Sequence, residues 1–485
     1  MILSPNSIFS FWITKGKEYP QSEDKIVKFC DYSVYISPKT IYEYKVEDEH
    51  ACMIIGLATC VSRNENAMDW IWKNLESLES VINAEKHLGG KYVLFFRIKD
   101  QYYVMGDATG SIPVFYACDG DNVICASIAY QVADALHLSA DKTLLKIRQH
   151  SDASKTMPYD YTIWKEIKRL LPNHYLDVNT QRVVRFINQK SDEVAISAEK
   201  AIESTLPSMQ RLADYYKRRF PVACALTSGR DSRVVLSVFG CNRDIPIYTM
   251  KHNEFSEKTP DIVIPKQISE KLHLDYHQVK DIHLTATDIA EADTILGVGN
   301  YSYRTLMLAH TINHYFGEYA VINGDVIGQV GKCSLHRDIP ERFAIPSYFL
   351  CKLHNYSKKA KFALEKWLKE IQDAGEHVNK FDLFSIENRL GVWAANENEI
   401  YNLTGQYYLN IFNSRSIIYE WTRVSRKERK NSSIHLAIIR ALNPVLLEIP
   451  FEASGLLEKI SKYNGYTYLC ASYLKHYIEK IKSRL

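Results

Sequence analysis

The 485-residue sequence contains no run of eighteen apolar residues, so no segment of it reads as a membrane-spanning helix. Its ten cysteines form no Cys-x-x-Cys pair and no His/Cys alternation at zinc spacing, which removes a thioredoxin-like motif and a structural zinc centre from consideration. Charge of one sign is also missing: 60 basic against 57 acidic residues leave +3, so no global field recruits nucleic acid or an anionic membrane surface. Internal repeats and low-complexity tracts are absent, which excludes solenoids and disordered arrays. The first residues show no basic segment ahead of a long apolar core, and reduced thiols in a cytoplasm are the simplest expectation. What is present is a globular composition, 46% hydrophobic and 24% charged, long enough to bury two cores. The division expected is 1–190 and 195–485, with the polar stretch KSDEVAISAEK (190–200) as linker into a helix.

Residues 225–236 read ALTSGRDSRVVL. The preceding VACAL (222–226) is short and wholly apolar, as a parallel strand buried on both faces is; SRVVLSVFG continues as a helix that ends on Gly240. The junction is a strand-to-helix turn, where unpaired amides and the helix dipole stabilise an anion. Ser228 and Ser232 add hydroxyl donors, Gly229 admits close backbone approach, and Asp231 is placed to hold a divalent cation beside polyphosphate. An ordinary N-cap needs one such residue, not five in six. A Walker loop and a dinucleotide fingerprint both require glycine spacings that this junction does not have.

Downstream, DIPIYTM (244–250) is a second strand, Ile264, Ile268 and Leu272 mark one helix face, DYHQV is a third strand, and YAVING (319–324) a further one. Alternating strand and helix predicts a doubly wound parallel sheet, with ligands at the strands' carboxyl ends. Those ends are the 227–232 loop, Met250 to His252, and Asn323 to Asp325.

TSGRDS resembles the PP-loop, SGGxDS, of ATP pyrophosphatases: Thr227 and Ser228 replace its first Ser and Gly, while Gly229, Asp231 and Ser232 match. LGGKYVLFFRIKDQYYVMGDATGSIPVFYACDGDNVICAS (88–127), with its D-x-x-G-x-x-P turn from Asp107 to Tyr116, resembles the class II glutamine amidotransferase domain. TIWKEIKRLLPNHYLDV (162–178) is similar to the crossover that closes that domain. With VING and NSRSIIYEW (413–421), the resemblance to the asparagine synthetase family extends over nearly the whole chain. It implies an α/β and α+β protein: a degenerate N-terminal Ntn-hydrolase-like sandwich, then a doubly wound parallel-sheet PP-loop synthetase domain.

The departures narrow the resemblance. The family's glutaminase uses an N-terminal Cys; here Ile2 follows Met1, and no cysteine precedes Cys30. MIIGLATCV (53–61) stands where the family's glutamine-binding Asn-Gly would lie, without that pair. NGDVIGQVG (323–331) occupies the place of SGEGxDE, so the family's metal-holding Asp and following Glu fall on Gly328 and Gln329, leaving Asp325 as the nearest acid. The chain is thus similar to the glutaminase-deficient branch of β-lactam synthetases and lasso peptide cyclases.

That resemblance implies an ATP-dependent ligase: a substrate carboxylate is adenylated, releasing pyrophosphate, and an amine displaces AMP. ATP and Mg²⁺ are the expected cofactors, and small-molecule or peptide carboxylates and amines the expected partners. A homodimer or a complex with enzymes of the same route is compatible with the sequence. The implied ATP and pyrophosphate site is Leu226, Thr227, Ser228, Gly229, Asp231, Ser232, Met250 and Gly324, with Asp231 and Asp325 on the metal. Asn300, Tyr303 and Arg304 in GVGNYSYR (297–304) are the substrate-side candidates, and Lys459 and Arg415 the catalytic ones. Two other readings stand beside this: ammonia-dependent amidation of a carboxyl sugar or natural product, and a non-catalytic nucleotide-binding scaffold. A thiolation enzyme acting on RNA would need a catalytic Cys and a basic face, neither of which is evident.

Three further features have a plain and a functional reading. His273 and His277 straddle a helix end and a strand, which argues against a metal pair. RVSRKERK (423–430) reads as a solvated helix face, or as a site for phosphate or an acidic substrate. Arg230 and Arg233 flank the loop, to reach phosphate or to pair within the core.

Overall fold

The computed structural model describes residues 7–16, 24–120, 122–149, 156–187, 194–355, 357–374, 378–451 and 464–482. Its N-terminal half holds two six-stranded sheets, all of whose pairings are antiparallel. One sheet runs Lys168–Leu170, Val114–Asp119, Asn122–Ala126, Phe11–Thr14, Tyr32–Ile36, Lys25–Phe29. The other runs Arg182–Arg185, His174–Asp177, Gln101–Gly106, Leu88–Ile98, His50–Cys60, Tyr42–Val46. Strand periodicity explains the long apolar run at 51–58: Met53, Ile55 and Leu57 face the other sheet, while Cys52 and Ile54 face helices Ala67–Trp72 and Leu78–Glu85. Trp12, Tyr35, Phe115 and Ile124 likewise turn outward onto helix Ala129–Ala135. The result is a helix, sheet, sheet, helix sandwich, as expected of an Ntn-hydrolase-like domain.

The D-x-x-G turn is held by its own aspartate. Asp107 is buried, and its Oδ1 accepts from the amides of Thr109 at 2.9 Å and Ser111 at 3.1 Å. Gly110, at φ +62°, supplies the left-handed residue that this tight return needs.

The C-terminal half is built on a five-stranded parallel sheet in the order Tyr276–Lys280, Ile247–Lys251, Val222–Ala225, Ala320–Ile322, Tyr408–Leu409. Successive residues alternate sides. Ala223, Tyr248, Val279 and Val321 pack on helices Ala286–Leu296, Tyr303–Phe316 and Ala395–Leu403; Cys224, Ile247, Ile322 and Leu409 pack on Ala198–Lys217, Asp231–Val238 and Pro260–Leu272. Both faces are therefore covered, and the sheet is doubly wound. Pro260 opens its helix after Thr259, and His273 closes it at φ 54°. A third, helical cluster packs Trp367, Phe349 and Phe384, the last two rings stacked 4.3 Å apart.

The halves share one continuous core, in which Phe11, Ile55 and Phe95 belong to the same apolar cluster as Leu212, Cys224 and Ile322. The expected junction near residue 190 lies largely outside the described residues. Polar clamps cross the contact. Arg415, 1% exposed, gives its Nε to Glu85 at 2.6 Å, and Arg185 makes a two-pronged pair with Glu387 at 2.6 and 2.8 Å. Lys91, 2% exposed, donates to Asn398 at 2.7 Å, Asn402 at 2.8 Å and the Tyr408 carbonyl at 3.3 Å. Its ammonium thus has three acceptors and no carboxylate among them, and burial pulls its pKa down to about 7. Its acceptors Asn398 and Asn402 lie on Ala395–Leu403, which continues directly from a π-helix, Ser385–Ala394.

RVSRKERK is not a solvated face. Arg429 is fully buried, bonded to Asp382 at 2.6 Å and to the Val424 and Val330 carbonyls at 2.7 Å each, and Arg426 bonds the Ile339 carbonyl. The run is an anchor between helices; long stems let basic residues pack while their heads find carbonyls.

Candidate active site

Strand order reverses between Val222–Ala225 and Ala320–Ile322, and the loops leaving their carboxyl ends are 226–230 and 323–326. A crevice opens at such a switch point. Thr249 Oγ1 donates to the Leu226 carbonyl at 2.7 Å, tying the neighbouring strand to the start of the loop. Leu226 is itself wholly buried, so it offers the site backbone alone.

The loop is internally bonded. The Thr227 amide donates to Ser232 Oγ at 3.0 Å, the two hydroxyls lie 3.1 Å apart, and the Gly229 amide donates to Thr227 Oγ1 at 3.2 Å. Ser228 departs from its expected role as an outward donor. It is 1% exposed, and its amide and hydroxyl both go to Asp261 Oδ1, at 2.8 and 2.6 Å. Asp261, in the first turn of the next helix, therefore occupies two donors that the sequence assigns to an anion. The helix Asp231–Val238 starts without a side-chain cap, so no capping side chain takes up its first-turn amides.

Asp231 sits at that helix start. Its Oδ1 meets Nε2 of His435, a fully buried residue of helix Ser433–Leu442, at 2.7 Å. Burial would raise the Asp231 pKa, but the hydrogen bond and charge of His435, with Lys332 and Arg230, hold it below its ordinary value. Two glycines make room for this carboxylate: a Cβ on Gly324 would stand 3.1 Å from Asp231 Cβ, and one on Gly328 only 2.8 Å from Asp231 Oδ2. Gly328 belongs to a π-helix, Ile327–Gly331, entered straight from the strand loop. Asp325 lies between the two glycines. Burial, and then the charge of Asp231, raise its pKa to about 6.

A buried acid whose ionisation is opposed by a neighbouring carboxylate is what a cation would relieve. Among the described residues no cluster of three or more His, Cys, Asp or Glu side chains is set to hold a metal. Magnesium, however, is commonly bound through one or two carboxylates with phosphate oxygens and water completing its shell, so Asp231 and Asp325 fit it. Behind Asp325, Asn323 donates to the Leu409 carbonyl at 3.0 Å and accepts from Asn410 at 2.6 Å. A cavity of about 20 Å³ there is lined by Lys91, Thr109 and Ser111 from the sandwich and by Asn323, Asp325 and Asn410 from the C-terminal half.

The remaining candidates divide. Met250 is half-buried at the end of its strand and packs into the apolar cluster on one face of the sheet. Past that strand, His252 Nδ1 lies 3.0 Å from Asp281, an acid at the next strand end that the sequence does not single out. Asn300 is half-buried: its Nδ2 donates to the Leu296 carbonyl at 2.9 Å, and its own backbone carbonyl receives Arg148 from the sandwich half. Tyr303 and Arg304 are exposed on the first turn of their helix. Arg415 is buried in its clamp with Glu85 and is not presented to the loop, because its guanidinium also bonds Asn173 and the Gly106 carbonyl. Lys459 lies outside the described residues. Of the flanking arginines, Arg233 is buried and holds the Leu446, Ile449 and Pro450 carbonyls at 2.7 to 2.8 Å; Arg230 stacks on Phe451 at 4.5 Å. His277 pairs with Asp275 at 3.0 Å.

Asp261 and His435 are the site residues that sequence reasoning misses. Asp261 shows only as an acid in a helix's first turn, and His435 only as a lone His in an apolar helix; their partners are 33 and 204 residues away.

No family model and no curated protein matches the chain. Among solved structures it is similar to glutamine phosphoribosylpyrophosphate amidotransferase from B. subtilis, complexed with ADP and GMP, at 9% identity and TM-score 0.23, covering 59% of this chain and 63% of that one. It is also similar to a structure described as the allosteric regulatory enzyme of purine biosynthesis, at 10% identity and TM-score 0.23, covering 59% of this chain and 62% of that one. The overlap is thus under two thirds of the length of either protein. NMN synthetase from Francisella tularensis is similar at 13% identity and TM-score 0.18, covering 37% of this chain and 73% of its own. Likenesses this partial say nothing about activity, and the architecture rests on the strand orders above: a two-sheet antiparallel sandwich joined to a doubly wound parallel sheet.

Proposed function

We propose that the chain is an AMP-forming carboxylate–amine ligase that uses ATP and Mg²⁺ and does not hydrolyse glutamine. The observation that carries this reading is Asp231 at an uncapped helix start, beside Asp325 at the sheet's switch point, with Gly324 and Gly328 keeping the space open. Amides of the first helical turn and the Thr227 and Ser232 hydroxyls bind the phosphates of ATP, and His435 holds Asp231 in one orientation. Asp231 and Asp325 would hold magnesium, which would supply charge neutralisation to the leaving pyrophosphate. The substrate carboxylate then meets the α-phosphorus already oriented, which lowers the barrier by proximity, and an amine displaces AMP in the second step.

Four of the sandwich's five cysteines are poor nucleophiles. Burial pushes the thiols of Cys30, Cys52, Cys118 and Cys125 in the sandwich up, away from the thiolate that a nucleophile needs.

One observation favours a second reading, a nucleotide-binding scaffold without turnover: Asp261 takes both Ser228 donors and places negative charge beneath the loop. The test is an incubation with ATP, Mg²⁺ and a panel of carboxylates and amines, followed by mass spectrometry. AMP and pyrophosphate are expected, lost in Asp231→Ala and reduced in Asp325→Asn, whose amide offers an oxygen without the charge. ATP binding that ignores chelator, with no AMP from any acid, would favour the scaffold.

A further inference from the structure

Within the turn 227–232 one residue faces the other way. Thr227 is exposed and residues 229 to 232 are half-buried, whereas Ser228 is 1% exposed. Its burial is fully directed by hydrogen bonds. The amide and the hydroxyl of Ser228 converge on a single oxygen, Asp261 Oδ1, at 2.8 and 2.6 Å, and the Ser228 carbonyl meets Nη2 of Arg233 at 3.5 Å. Two donors sharing one acceptor fix a direction as well as a distance, so Ser228 is a fixed point in the turn.

Both groups that hold Ser228 are themselves immobilised. Asp261 is half-buried in the first turn of helix Pro260–Leu272, whose Ile262, Ile264 and Ile268 are buried, so its backbone cannot shift without repacking the core. The start of a helix also favours the ionised carboxylate. Arg233 is fully buried, and its guanidinium is held by the carbonyls of Leu446, Ile449 and Pro450.

The rest of the turn is built outward from Ser228. On one side the Thr227 amide reaches Ser232 Oγ, and on the other the Gly229 amide reaches Thr227 Oγ1. These bonds close the turn on itself and leave the first-turn amides of helix Asp231–Val238 without a capping side chain. Ser228 falls on the first glycine of SGGxDS, so the hydroxyl half of its contact with Asp261 belongs to this chain's own sequence. A residue held by an outer carboxylate here replaces one that is free in φ and ψ.

We propose that Asp261 is a positioning residue for the phosphate site: through Ser228 it sets the path of the turn and hence the direction of the Gly229–Ser232 donors, without touching the ligand. The proposal rests on the 226–232 loop being a nucleotide site, and holds for the ligase and the scaffold alike.

The test is calorimetric titration of the full chain with Mg–ATP, and with Mg–pyrophosphate, which presents phosphates alone. Asp261→Ala removes the acceptor and should weaken both ligands at least about tenfold, given that a 1 Å displacement costs about a hundredfold. Asp261→Glu keeps the charge but moves the acceptor by one methylene, and the same loss is expected. Asp261→Asn keeps an oxygen at the original reach without the charge, so it should bind both ligands within about fivefold of wild type, or more tightly. Circular dichroism and thermal melting set a temperature at which each variant is folded; should the alanine variant not fold, the glutamate and asparagine variants decide between them. An alanine or glutamate variant that binds as wild type does, or an asparagine variant that loses tenfold or more, overturns the proposal alone. Wild-type protein that binds neither ligand overturns the nucleotide site, and the proposal with it.

Discussion

Gly328→Ala adds a single carbon at a point where the space is already taken. The new Cβ would stand 2.8 Å from Asp231 Oδ2, where ordinary contact begins at 3.4 Å, so something must give by about 0.6 Å. The carboxylate has little freedom to give. Its Oδ1 is held by His435 at 2.7 Å. Overpacking of this kind costs about 1–3 kcal/mol, a melting shift of a few degrees in a chain of this size. The larger effect falls on ligand binding. Displacing a positioning group by 1 Å costs about a hundredfold, so a shift of about half that is expected to weaken Mg–ATP binding about tenfold. Titration calorimetry with ATP and Mg²⁺ reads this directly, with thermal melting as the control for folding. Gly328→Asp sharpens the test, because resemblance alone would expect an added metal ligand there and tighter binding. The geometry requires the opposite, a loss at least as large as that of the alanine. Wild-type Mg–ATP affinity in Gly328→Ala, or a gain in Gly328→Asp, refutes the placement of Asp231 at the nucleotide.

Arg415→Met should cost about 3–5 kcal/mol in urea unfolding, because it strands Glu85 as an uncompensated buried charge; a loss under about 1 kcal/mol would mean that the clamp contributes little. Lys91→Met leaves two carboxamide oxygens and one carbonyl without a donor but also removes a buried charge, so a net loss of about 1–3 kcal/mol is expected, and unchanged stability would show the two effects cancelling. His174 has a pKa near 4 in the fold against about 6.5 in the unfolded chain, so the unfolded state binds the extra proton between these values. Its contribution is complete above pH 6.5 and is lost as pH falls towards 4, by about 3 kcal/mol. His174→Phe should flatten that part of the stability profile, and superimposable profiles would argue against a buried neutral ring.

The strands and the loop were legible because their signals are local. VACAL and the hydroxyl-rich turn lie side by side in the chain, and the four-residue spacing of Ile264, Ile268 and Leu272 falls on a helix running from Pro260 to Leu272. The fifth strand, Tyr408–Leu409, is two residues long and carries no pattern of its own; only pairing with Val321 and Ile322 defines it. The π-helical turns at Ile327–Gly331 and Ser385–Ala394 look like any helix in sequence, since a one-residue widening of the turn changes no residue type. Ser228 reads as an outward donor because its acceptor, Asp261, comes from the next helix, and the plain reading of RVSRKERK is solvated because charge usually is. Arg429 shows the exception: a cation can be buried where a carboxylate, here Asp382, and inward-turned carbonyls meet it.

The continuous core determines how this chain can be cut. Since Phe11 and Ile55 share an apolar cluster with Leu212 and Cys224, a C-terminal half expressed alone would present the flank of Ala198–Lys217 to water. It would also leave the Asn398 and Asn402 oxygens without Lys91, and Arg415 without Glu85. The sandwich thereby serves as a foundation for the proposed nucleotide site irrespective of any chemistry of its own. Asp325 and Lys91 border the same small cavity, so one wall of that site is supplied by the other half of the molecule. A gene encoding only the parallel sheet would be expected to yield insoluble protein, and co-expression of the two halves to restore it.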